Sequence, residues 1–168
     1  ERVAHTWIYV YTGPLAPAPQ GLHRVDHADV PADRLATGSG ANVQNGGAWI
    51  SLTSSSTGAQ GSTSFAICST QCFYDLVVAT PPGRPDTVLL GGVALPQFGE
   101  PTIRSTNAGA SFQAFGSGAQ APRNTSHVDV RAIVFHPKAP DIAFVGSDGG
   151  IVRNDGTFTS IASRCPQL

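Results

Sequence analysis

The chain carries one phrase twice. "LVVATPPGRPDTVLLGGV" (residues 76–93) and "RAIVFHPKAPDIAFVGSD" (residues 131–148) align Pro82 with Pro137, Pro85 with Pro140, Asp86 with Asp141 and Gly91 with Gly146, an offset of 55 residues each time. A repeat of fixed period constrains a fold more than any local pattern, because each copy builds the same unit and buries its apolar face on a neighbour. Each copy reads as strand, turn, strand and glycine. An apolar run (77–79; 133–135) enters a P-x-x-P-D turn, where Pro sets φ and the Asp side chain caps the backbone. A second run rich in β-branched and aromatic residues follows (88–90; 142–145).

A third strand and a further turn come after each pair. They are "TIRSTNAGASFQAF" in the middle copy and the shorter "GIVRNDGTFTSI" in the last. Near the start, "ANVQNGGAWISL" ends on Trp49 where the others have Phe112 and Phe158, and "WIYVYTG" and "GLHRV" supply a second and a third strand. The chain therefore reads as about three copies of a four-stranded antiparallel unit, over 1–62, 63–118 and 119–168, the last incomplete. A four-stranded repeat near this length is a β-propeller blade, so the expected fold class is all-β, a partial β-propeller belonging to a larger closed one. Composition agrees: 19 Gly and 13 Pro in 168 residues mark many turns. No window keeps helical periodicity over three turns, and no apolar run reaches membrane length.

Charged residues make up only 12% of the chain and the net charge is -1. That is no footprint for nucleic acid, and it gives no reason to bind an acidic membrane. There is no P-loop, no G-x-G-x-x-G ahead of a helix, no H-E-x-x-H and no G-x-S-x-G, so neither cofactor nor metal is expected. The chain lacks Met, opens mid-phrase at "ERVAHTWIYVYTG" and ends at "SRCPQL", as expected of a fragment or a processed chain. The spacing "CSTQC" lacks the second ligand pair of a zinc site and is not C-x-x-C. For Cys68 and Cys72 two readings stand, a local disulfide in an exported protein or two thiols. Cys165 is then free or paired outside this segment, and Asn124 heads a glycosylation sequon.

"RSTNAGASF" resembles the Asp-box, S-x-D-x-G-x-[ST]-[WF], with Asn107 in place of Asp. This motif is found in the BNR-repeat propellers of sialidases, xyloglucanase-type glycoside hydrolases and sortilin-type receptors. "VRAIVFHPKAPDIAFVGSDGG" is similar to a second phrase of secreted members. The other two copies depart from the motif: Gln44 holds the Asp position in "NVQNGGAW", and "RNDGTF" is two residues short. The resemblance implies a structural turn in which Ser105 and Asn107 bond backbone groups. Gly109 would take a conformation other residues resist, and Phe112 would pack between blades. It implies a secreted, periplasmic or cell-surface protein.

In such blades the P-x-x-P-D turns and Asp-boxes share one face, and the remaining loops share the ligand face. That sorting gathers Tyr74, Asp75, Gln97, Phe98, Glu100, His127, Asp129 and Asp148 at one end, with Tyr74 and Asp129 equivalent under the 55-residue offset. Asp75, Asp129 and Asp148 with Tyr74 are the candidate catalytic set, since paired carboxylates are the parts of glycoside hydrolysis. Ordinary readings stand beside these: Asp148 caps its own turn, Asp75 and Asp129 tie down loops, His127 bonds its loop, and Glu100 is solvated. The arginine triad expected of a sialidase is not seen. The Pro-rich, charge-poor loops "GPLAPAPQ" and "VALPQFGEP" favour a binding or scaffold module, whose ligand is a protein or a glycan, over a hydrolase. Three blades do not close a ring, so the expected partner is the remainder of the propeller, from the same precursor or another chain.

Overall fold

A computed structural model describes residues 6–13, 21–26, 28–29, 31, 49–53, 64, 67–69, 71–95, 100–115, 126–154 and 160–161. These hold strands and turns and no α-helix. The strands are β1 (Ile8–Thr12), β2 (Gly21–Val25), β3 (Trp49–Ser51), β4 (Val77–Ala79), β5 (Val88–Leu95), β6 (Glu100–Ser105), β7 (Gln113–Ala114), β8 (Val130–His136), β9 (Ala139–Ser147), β10 (Gly150–Asn154) and β11 (Ser160–Ile161). They form three antiparallel sheets, each connected in chain order: β1-β2-β3, β4-β5-β6-β7 and β8-β9-β10-β11.

The repeat holds at the level of register. In the middle sheet Val77, Val78 and Ala79 pair with Gly91, Leu90 and Leu89. In the last sheet Ala132, Ile133 and Val134 pair with Gly146, Val145 and Phe144, the same positions shifted by 55. An arginine marks the next strand of every sheet: Arg24 faces Tyr9, Arg104 faces Leu89 and Arg153 faces Phe144. Tyr9, Leu89 and Phe144 are thus equivalent, and β1 corresponds to β5 and β9.

Strand alternation then divides the core in two. Val88 and Leu90 of β5 pack with Ile103 and Phe112 against Tyr11 and Leu22 of the first sheet, with Ile67 and Cys68. Leu89, between them in sequence, turns to the other side and meets Val130, Ile133, Ala143 and Val145 of the last sheet, with Phe115. The middle sheet is therefore buried on both faces. β4 neighbours both β1 and β8, and β5 also lies against β8. Gly91 has to be glycine because a Cβ there would collide with Val130 of the last sheet.

The 105–112 turn is held by its own side chains. Ser105 Oγ accepts from the amides of Asn107 (3.2 Å) and Gly109 (2.9 Å) and donates to Asn107 Oδ1 (2.9 Å). Asn107 Oδ1 also accepts from the Ser111 amide at 2.9 Å, and Asn107 Nδ2 donates to Ser111 Oγ at 2.8 Å. Gly109 has φ +84°, and a Cβ there would press on Leu52 of the first sheet. Arg24 donates to the Ala108 carbonyl at 2.8 Å, and Tyr9 donates its hydroxyl to the Pro85 carbonyl at 2.7 Å, so the first sheet is bonded to both turns of the middle one. Burial pushes the Tyr9 phenol up to about 12, against the opposing effect of Arg24.

Asn107→Ala removes these side-chain bonds and is expected to cost about 1–2 kcal/mol in urea denaturation. Asn107→Asp keeps the acceptor, and the Ser111 hydroxyl can turn to donate to it. That variant should stay within about 0.5 kcal/mol of wild type. Equal losses in the two variants would contradict this account of the turn.

Candidate functional site

The register sets two distinct ends. Val130, at the start of β8, pairs with Ser147, at the end of β9. The approach to β4, the approach to β8 and the β9–β10 turn therefore share one end, while the 81–86 and 137–138 turns share the other. At that second end Arg84 is ion-paired with Asp141, and this hydrogen-bonded guanidinium draws the Asp141 carboxyl down from its ordinary value. Both side chains are exposed, so the pair adds little stability.

At the first end, Cys68 and Cys72 lie at disulfide distance, with Cα atoms 4.8 Å apart, and close a tight turn. The Gln71 amide donates to the Cys68 carbonyl, and the Gln71 carbonyl accepts from the amides of Tyr74 (2.8 Å) and Asp75 (2.9 Å). Cys68 is buried in the core between the first two sheets. This clasped loop delivers Asp75 to the interior and leaves Phe73 and Tyr74 outside, 75% and 54% exposed.

The structure brings the four candidate residues Tyr74, Asp75, Asp129 and Asp148 together around Arg131 of β8. The Arg131 guanidinium lies over the Tyr74 ring, 3.7 Å from its centroid, a cation–π contact. Its Nη2 donates to Asp148 Oδ1 at 2.7 Å, and its Nε stands 3.8 Å from Asp75 Oδ1. Asp75 is completely buried, and neither of its carboxylate oxygens has a hydrogen-bond partner. Its burial, more than anything else, pushes the carboxyl above the usual aspartate range. The Asp129 carboxyl pushes the same way, Arg131 opposes, and Asp148 adds to the rise. Asp129 adopts φ +64°, a left-handed conformation that few side chains besides Asn and Asp tolerate.

The remaining candidates fall as follows. Asp148 gives its carboxylate to Arg131 rather than only to its own turn. His127 packs on Gly149, where a Cβ would collide with it, and its Nδ1 lies 3.3 Å from the Val128 carbonyl. Glu100 opens β6, opposite Leu95. Gln97 and Phe98 lie outside the described residues, as do Gln44, Asn124, Phe158 and Cys165. Two members went unnoticed in the sequence, Arg131 and Phe73. Arg131 follows Asp129 by two residues at a strand start, and in that place a cation beside three carboxylates was a readable signal. Phe73 stands next to Tyr74 in the same loop and is the more exposed of the two.

The cluster presents a cation fixed flat on an aromatic ring, an acid beside it and an exposed second ring, which is equipment for holding a polar ligand. Asp75 is sealed from solvent and faces Arg131 from behind. Among the described residues no group of three His, Cys, Asp or Glu is arranged to hold a metal, and no helix is long and apolar enough to cross a membrane. In comparison with known proteins, the chain matches no family model and no curated sequence.

The folded protein holds the Asp75 proton more tightly than the unfolded chain does. Asp75 therefore weakens the fold when ionised, and the penalty is relieved as pH falls from its raised folded value toward the ordinary aspartate value. Asp75→Asn removes that penalty. Denaturation should find the variant about 1 kcal/mol more stable at pH 7, with the gain shrinking toward the usual aspartate range. A variant less stable at pH 7 would mean that attraction to Arg131 outweighs burial.

Proposed function

We propose that the chain is part of an exported Asp-box-type β-propeller and serves as a binding or scaffold module, taking its ligand at the Tyr74–Arg131–Asp148 end. The fold side of this reading is supported by three chain-ordered sheets with a common register and by the side-chain-bonded turn at Ser105–Asn107–Gly109 with Phe112 buried between two sheets. The single observation that carries the binding reading is Arg131, stacked on an exposed Tyr74 and bonded to a half-exposed Asp148. Such a group offers an aromatic face and charge-assisted hydrogen bonds together, which suits a hydroxyl-rich ligand such as a glycan.

The hydrolase reading draws on one observation, the raised Asp75 carboxyl beside Asp129 and Asp148, since carboxyls pushed apart in pKa are how such enzymes divide acid and base roles. Against it, the carboxyl with the raised pKa is the one that a substrate does not reach.

Titration with xyloglucan oligosaccharides in a calorimeter tests both. Binding is expected, and Arg131→Ala and Tyr74→Ala should each weaken it by roughly tenfold, about 1.4 kcal/mol. No binding by wild type, or unchanged affinity in both variants, contradicts the site. Release of new reducing ends during the titration would favour the hydrolase.

A further inference from the structure

The middle sheet has both faces covered, and among the described residues the outer sheets each have one face that leaves apolar side chains exposed. The repeat makes the comparison position by position. On the far side of the middle sheet, Ala79 and Leu89 pack into the core against the last sheet. Their equivalents in the last sheet are Val134 and Phe144, which are 61% and 37% exposed, with Ile151 on the neighbouring strand 50% exposed. Gly91 is pressed by Val130 and Ile133, whereas a Cβ on its equivalent Gly146 would meet only Ala132 of its own sheet, at 3.6 Å. Gly146 thus keeps the smallest residue at a spot where no described residue of another sheet presses. Arg24 and Arg104 reach across to the following sheet, Arg24 to Ala108 and Arg104 into a crevice shared with Phe135 and Asp141. Among the described residues no following sheet stands opposite Arg153.

At the other end of the series the opposite face is partly open. Val88 and Leu90 are buried against the first sheet, and their equivalents Ala143 and Val145 against the middle one. The corresponding residues of the first sheet are Ile8 and Val10, which are 37% and 39% exposed. One chain therefore presents both halves of a junction it already makes twice internally.

We propose that two copies of this chain associate head to tail, the Val134–Phe144–Ile151 face of each seating on the Ile8–Val10 face of the other. The occupant is a second copy because the missing half of each junction is found on this chain itself. Two such contacts related by a two-fold axis close a ring of six sheets, within the range of about four to eight seen for propellers. Closure covers apolar faces that an isolated three-sheet segment leaves to solvent. The proposal rests on the propeller reading above for its geometry of closure, though not on ligand binding.

Sedimentation velocity of the 168-residue chain tests it. The expected species is a dimer of the 17.3 kDa chain. Phe144→Glu on one face and Val10→Glu on the other should each raise the dissociation constant by roughly tenfold or more. Gly146→Val serves where a charge perturbs folding: among the described residues its Cβ meets only Ala132, at an ordinary contact distance of 3.6 Å, and valine keeps strand propensity, so it too should give monomer with an unchanged circular dichroism spectrum. A monomeric wild type, dimers indifferent to all three substitutions, or open-ended filaments would overturn the proposal. Oligosaccharide binding measured on the same variants separates the two readings: a dimer that binds nothing sinks the ligand site alone, and a monomer that binds sinks the assembly alone.

Discussion

Most of the structure hangs on β5. Its residues alternate between two cores, Val88 and Leu90 to one side and Leu89 to the other, so this strand joins all three sheets. A strand buried on both faces is normally read as a uniform apolar run, and that is how "TVLLGG" is written. Gly91 ends the run because the last sheet comes too close for any Cβ, and the register shifts between Gly91 and Leu95. The cost of burying so much β-branched and aliphatic surface is conformational order. The return is about 2–5 kcal/mol for each large core side chain that would be lost on truncation to alanine.

The site follows from the same geometry. β4 and β8 lie side by side because β5 packs under β8, and so the loops before them converge. Asp75 comes from one loop and Asp129 from the other, and Arg131, within β8, reaches Asp75 on one side and Asp148 of the β9–β10 turn on the other. The Cys68–Cys72 clasp closes the first loop, and the Gln71 carbonyl holds the amides of Tyr74 and Asp75. A buried carboxylate whose oxygens accept no hydrogen bond and a left-handed aspartate next to it are features that stability alone does not favour. They are reasonable where a cation must be held in one orientation.

Much of the fold was legible in the sequence, for a physical reason. The 55-residue offset aligns turn residues whose φ values are set locally, and the strand register inherits that spacing. The gathering of Tyr74, Asp75, Asp129 and Asp148 was legible too, since alternate loops of an antiparallel unit share an end. What escaped was what depends on three dimensions: that Asp75 is sealed inside, that Arg131 rather than a backbone amide answers Asp148, and that Phe73 points to solvent. A run such as "QCFYDL" does not say that both of its aromatics face outward while the aspartate turns in; the closed turn decides it. The arginines at 24, 104 and 153 were visible in three third strands, yet only the pairing with Tyr9, Leu89 and Phe144 reveals them as one repeated position.

The most direct measurement is native-state hydrogen exchange, read amide by amide. If β5 joins the three sheets, its amides from Val88 to Gly91 should exchange only through global unfolding, with the highest protection in the chain, while β3 and β11 open by local fluctuation. Exchange from β5 as fast as from those outer strands would mean that the sheets unfold independently, and the account of a doubly covered middle sheet would be wrong.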